Sequence, residues 1–108
     1  LIVANPDLVA PREGGLTLEP GHFAEGIAEA TGLPPRFFGK PHRNAFDAAL
    51  ARLRGIPRSR IAMVGDTLHT DVLGGAAAGL KTVLITDHGL FRGRDVGPYI
   101  TRSGIVPD

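Results

Sequence analysis

The chain contains no cysteine, which removes disulfides and thiolate zinc sites from consideration. Lysine is almost as scarce: Lys40 and Lys81 stand against ten arginines, so each lysine merits inspection. No apolar run approaches the roughly 20 residues that cross a bilayer, and nothing has the pattern of a secretory signal. No sign of charge dominates either. The net charge is +1, with Lys and Arg scattered along the sequence, which lacks the basic footprint of a nucleic-acid binder. The triplet D-x-D is also missing. These absences set the default expectation: a soluble, cytoplasmic protein with neither nucleic acid nor membrane as partner.

At 108 residues the chain can build one modest core but not two ordinary domains. Leu1, Ile2 and Val3 open inside an apolar run, and Ile105 to Asp108 close just after a glycine, so a piece of a longer parent is expected. Short β-like runs alternate with helix-like stretches, the pattern of β-α units around a mostly parallel sheet. Residues 1–4 read as a strand. Residues 4–15 read as loop, because Pro6, Pro11 and the Gly14–Gly15 pair punctuate them. A helix is predicted over 20–31, with Phe23, Ile27 and Ala30 on one face and Gly32 as its stop. A short strand follows at 36–38. The next helix opens with Pro41 in its first turn, carries Phe46, Ala49, Leu50 and Leu53 as an apolar stripe, and ends at Gly55. Residues 61–64 and 82–86 read as buried parallel strands, with a Gly- and Ala-rich helix over 71–78 packed closely on them. A short helix is predicted over 96–102.

The chemistry concentrates in two stretches. In IAMVGDTLHTD, Asp66 follows an apolar strand directly, at the sheet edge where open α/β folds bind ligands, and Gly65 permits a sharp turn there. Asp71 has two readings: with Thr70 it can cap the following helix, or it can join Asp66 in serving a hard cation such as Mg²⁺. In FFGKPH, Lys40 sits between a glycine and a helix-opening proline. It would project near a helix N-terminus, where backbone N–H groups already favour an anion, and could complete a phosphate site. Both Lys40 and Asp66 are expected at the carboxyl edge of one parallel sheet, facing a common cleft.

Taken together, ANPD, a helix, GKPH, GDTLHTD and AAGLKTVLIT, in that order and spacing, resemble the haloacid dehalogenase (HAD) superfamily. The closest likeness is to its class IIA phosphatases of the NagD and 4-nitrophenyl phosphatase type, and it covers Leu1 to Gly89. The resemblance implies an α/β fold with a Rossmann-like parallel core, residues 39–108 belonging to that core and residues 1–38 to the tail of an α/β cap domain. It implies a Mg²⁺-dependent phosphatase of small phosphorylated metabolites that works through an aspartyl phosphate. Lys40 would neutralise charge between nucleophile and phosphoryl oxygens, Asp66 would ligate Mg²⁺, and Asp71 would act through Lys40 or the metal. The D-x-D nucleophile motif would precede Leu1. Asn5, Asp7 and Ala10 lie on the segment that faces substrate in such caps, although the same residues could simply brace a loop through Asx hydrogen bonds. His42, beside Lys40, is a candidate for substrate contact, whereas His22, His69 and His88 read as structural. A homodimer through the cap is one assembly the resemblance allows. Two rival readings remain: a non-catalytic relative that binds a phosphometabolite or dimerises, and a receiver-like signalling domain, for which the acidic pair and lysine come in the wrong order.

Overall fold

The computed structural model describes residues 1–108. Two parallel β-α-β units organise the chain. In the first, β1 (Ile2–Val3) pairs in parallel with β4 (Arg36–Phe37), and α1 (Pro20–Thr31) makes the crossover. In the second, β5 (Ala62–Gly65) pairs in parallel with β6 (Lys81–Leu84), and the crossover is a wide π turn at Leu68–Val72 that runs into α3 (Leu73–Ala77). The α2 helix (Arg43–Leu50) links the units, and α4 (Gly97–Ser103) follows a 3₁₀ turn at Gly89–Phe91.

The helix over 20–31 forms with the predicted bounds. Pro20 starts it, and Gly32 ends it in the left-handed region at φ +68°, its N–H donating to Ala28 O. Residues 4–15, expected to be loop, instead contain a strand. β2 (Val9–Arg12) forms an antiparallel hairpin with β3 (Gly15–Leu18), turning through Glu13 and Gly14. A two-stranded ribbon leaves an outer edge on each strand, so Pro11, which lacks an N–H, fits without losing a ladder bond. Helix α2 is also shorter than its apolar stripe suggested. Pro41 lies before it rather than in its first turn, His42 occupies the N-cap position, and after Leu50 the chain tightens into i to i+3 bonds from Arg52 and Leu53. Phe46 is therefore the one buried member of that stripe.

Strands β5 and β6 were expected to be covered on both faces, yet Val64 and Val83, paired across the ladder, are 54% and 44% exposed. The opposite face is tightly packed. A β-carbon on Gly75 would meet Met63 Cβ at 2.7 Å and Thr82 Cγ2 at 3.0 Å, so α3 rests on the sheet as a glycine surface. Leu68, Val72 and Phe91 form the buried centre, with Leu84, Leu90, Val96, Ile100 and Ile105 packed around it. Strand β4, which leads to Lys40, and strand β5, which leads to Asp66, belong to different two-stranded sheets, so the single sheet edge expected for the two residues is not what joins them. The joining element is a side-chain pair.

Candidate active site

Lys40 emerges from a turn that only glycine can make. Gly39 has φ +95°, and a β-carbon there would lie 2.8 Å from Ala4 O, so the backbone preceding Lys40 is pressed against the ANPD segment. The lysine then reaches across 31 residues of sequence: its Nζ donates to Asp71 Oδ1 at 2.5 Å. The two partners differ in environment. The Asp71 side chain is 2% exposed and that of Lys40 is 48% exposed, so a fixed buried anion holds a cation that still faces solvent.

Asp71 is fixed by more than the lysine. The backbone N–H of Thr67 donates to Asp71 Oδ2 at 3.1 Å and the Thr67 hydroxyl donates to the same oxygen at 2.7 Å, while Thr70 Oγ1 supports Thr67 Oγ1 at 2.8 Å. The Asp71 carboxylate fills the space above Gly65, which leaves no room for any other residue at that turn. Burial by itself would raise the carboxyl pKa. The Lys40 ammonium and the paired Thr67 donors outweigh it, and the net shift is downward from the ordinary value of 3.8. The capping reading of this region is thereby corrected: Thr67 occupies the N-cap position, and Asp71 folds back onto it rather than capping the helix that follows.

Asp66 stands next to this pair along the chain. Its Oδ2 accepts the backbone N–H of Leu90 at 2.9 Å, and its side chain packs against Gly89, φ +72°, where no β-carbon could fit. One carboxylate oxygen is thus anchored, and Oδ1 takes no hydrogen bond from the protein. A hard cation fits that oxygen chemically, but His, Asp and Glu nowhere form a group of three that could hold a metal ion. Both oxygens of Asp71 are already engaged by protein donors, which ties it to Lys40.

Of the remaining candidates, Asn5 and Asp7 flank the Pro6 that packs on Gly39, and the His42 N–H donates to Gly39 O. Asn5 Oδ1 accepts the Asp7 N–H at 3.0 Å, the Asx brace anticipated for this loop, and Asp7 O accepts the Gly21 N–H. Ala10 lies in β2, on the hairpin. The His42 ring stacks on Phe37 with centroids 5.4 Å apart. His22 meets Phe23 edge to face, and His88 precedes the Gly89–Phe91 turn. Three functional contributors escaped the sequence reading. Thr67 and Leu90 supply donors to the two aspartates, and Asn44 Nδ2 donates to Phe37 O at 3.1 Å, tying α2 to the end of β4. Thr67 was visible as a hydroxyl residue inside the acidic motif; the Leu90 contribution is a backbone N–H, which no residue type announces.

The site thus holds a lysine fixed by a buried aspartate and, five residues earlier in the chain, a second aspartate with a free oxygen, both following strands of parallel β-α-β units. A family model described as HAD-hydrolase-like matches residues 37–108, and the chain belongs to that family. Among solved structures, a p-nitrophenyl phosphatase from Archaeoglobus fulgidus superposes with a TM-score of 0.86 at 33% identity, covering 99% of this chain and 41% of the other. A protein described as a possible sugar phosphatase of the HAD superfamily from Cytophaga hutchinsonii superposes with a TM-score of 0.83 at 40% identity, covering 98% of this chain and 38% of the other. An acid sugar phosphatase of Staphylococcus aureus is 38% identical over 82 residues, which is 76% of this chain and 31% of the relative. The chain therefore spans about a third of the length of the curated relatives it matches. No helix is long and apolar enough to cross a membrane.

Proposed function

We propose that this chain is part of a Mg²⁺-dependent phosphatase that hydrolyses small phosphomonoesters in the cytoplasm. The observation that carries the reading is the Lys40–Asp71 pair, in which a buried carboxylate aims a half-exposed ammonium. In this reading residues 1–38 are the tail of a cap and residues 39–108 part of the catalytic core. Lys40 binds a phosphoryl oxygen and balances charge that builds as the bond to the leaving group stretches. Asp71 with Thr67 orients Lys40 and balances its charge. Asp66, through its free Oδ1, would contribute to holding Mg²⁺, which when bound supplies charge neutralisation to the phosphoryl group. Asn5, Asp7 and His42 lie on or beside the Gly39 turn and would contact substrate. The attacking carboxylate, which forms the aspartyl phosphate, lies outside these 108 residues, since they contain no D-x-D.

That same missing carboxylate favours a second reading, a non-catalytic module that binds a phosphometabolite or forms a dimer. One experiment separates them: hydrolysis of 4-nitrophenyl phosphate and sugar phosphates by the full-length protein, with and without Mg²⁺. Turnover that requires Mg²⁺ and is lost in Asp66→Asn and Lys40→Ala supports the phosphatase. Absence of turnover with retained phosphate binding supports the binding module.

A further inference from the structure

A cavity of about 330 Å³ opens between the turn after β5 and the C-terminal segment. Its floor is apolar, formed by Leu68, Leu90 and Phe91, while Arg94, Arg102 and Tyr99 stand at its wall. Such a volume suits a small organic ligand. Neither arginine has an acidic partner, since the four ion pairs of the chain are Arg12–Glu19, Lys40–Asp71, Arg43–Asp47 and Lys81–Asp108. The nearest acid in sequence, Asp95, is turned away, its Oδ1 accepting the Gly97 N–H at 3.0 Å. The Tyr99 ring is braced edge-on against Phe91 with centroids 5.1 Å apart, and its hydroxyl lies 3.4 Å from Arg94 Nη1.

We propose that this cavity is a further ligand site beside the Lys40–Asp71 pair, which takes a small metabolite with an anionic phosphate or carboxylate head on a ring-sized apolar body. Two uncompensated guanidinium groups supply forked donors for the head, and an apolar floor with an aromatic wall accepts the body. Arg94 and Arg102 are exposed, so a neutral ligand would draw nothing from them that water does not already supply, whereas an anion adds charge-assisted bonds. A fully polar ligand would leave the floor wet. The site is coupled to the aspartates by shared residues: Thr67, which lines the cavity, donates to Asp71, and Leu90 lines it while its N–H holds Asp66. An occupant is therefore positioned either as the distal group of a substrate or as a separate effector.

The test uses phenylphosphonate as the probe and the full-length protein with labelled leucine methyl groups, in a Lys40→Ala background so that phosphonate binding near Lys40 does not interfere. Saturable shifts of the Leu68 and Leu90 methyl signals are expected, with benzyl alcohol giving none. Arg94→Gln with Arg102→Gln should weaken the response by about tenfold or more, while the double lysine variant, which keeps the charge and controls for folding, should retain most of it. With Lys40 intact, the same double glutamine change should raise KM only for phosphomonoesters bearing a second anionic group if the occupant belongs to the substrate. It should abolish modulation by added phenylphosphonate if the occupant is an effector. Methyl shifts that persist unchanged in the double glutamine variant, or that benzyl alcohol reproduces, would overturn the proposal. The methyl-shift result stands apart from whether the protein is a phosphatase, whereas the KM and modulation readouts rest on that reading.

Discussion

Gly89 lies against the Asp66 carboxylate, so that a β-carbon at residue 89 would clash with Asp66 Oδ2. Gly89 is also in the left-handed region, φ +72°, which costs other residues about 1–2 kcal/mol. Gly89→Ala is therefore expected to lower stability by about that amount and to push the Asp66 side chain off the Leu90 N–H. Denaturant unfolding measures the first effect. A rise in the Mg²⁺ concentration needed for half-maximal turnover in the full-length protein measures the second, and an unchanged requirement would detach Asp66 from the metal.

Asp71→Asn keeps the shape of the side chain but removes the charge that meets Lys40 and replaces an acceptor with an amide. Thr67 then loses part of its partnership in a site that is almost wholly buried. A loss of about 1–3 kcal/mol of stability is expected from the unsatisfied groups, discounted because Lys40 is half exposed. Lys40→Ala, by contrast, should cost turnover more than folding, about 2–4 kcal/mol of transition-state stabilisation. Parallel melting curves and kcat/KM values for the two variants would reveal whether these effects separate in this way.

Asp108 closes the outer edge of β6. Asp108 accepts from Lys81 Nζ at 2.7 Å and from the Thr82 N–H at 3.0 Å, and its own N–H donates to Thr82 O. The Lys81 bond first, then the Thr82 N–H, lowers its pKa from 3.8. A depressed carboxylate stabilises the fold above its unfolded pKa, and the contribution disappears as pH falls through the folded value. From neutrality down into the ordinary carboxylate range the clasp should hold, and it should open only at the more acidic pH of the depressed folded-state value. Hydrogen exchange at the Thr82 amide, followed from pH 6 to pH 3 in the wild type and in Asp108→Asn, checks this. The variant should show the fast exchange throughout, and identical profiles would discount the clasp.

Residues 1–108 alone should not hydrolyse 4-nitrophenyl phosphate, because charge stabilisation without a nucleophile has no transition state to act on. An assay with Mg²⁺ on the folded, purified chain decides the matter. Turnover would make Asp66 or Asp71 the nucleophile of a different reaction.

Much of this was legible in the sequence, and the failures have physical causes. The α1 helix could be read to the residue because Pro20 and Gly32 act locally, each through its own backbone preference. The hairpin at Val9–Leu18 was missed because Pro11 and two glycines look like loop in one dimension; only the ribbon edge makes that proline harmless. Two-sided burial of β5 and β6 was inferred from their apolar runs, yet Val64 and Val83 remain open, since composition records what a strand could bury rather than what covers it. At the site, Lys40 and Asp71 were found as residue types at motif spacing. The Leu90 N–H on Asp66 could not be, because every residue except proline carries the same donor.

The wide turn at Leu68–Val72 has one more consequence. Val72 N–H reaches back five residues to Thr67 O, as Leu73 N–H does to Leu68 O, so the crossover absorbs one residue more than an α-helical turn would. That residue is a phase adjustment of about 100° between the aspartate and everything after it. With it, Asp71 points at Lys40 while Gly74 meets the Phe46 ring and Gly75 meets Met63 and Thr82. Remove one residue and the slot over the sheet falls to Ala76, whose methyl group has no space there. The acidic motif and the glycine pair are thus written in a single reading frame of the helix, and neither can drift by one position without the other.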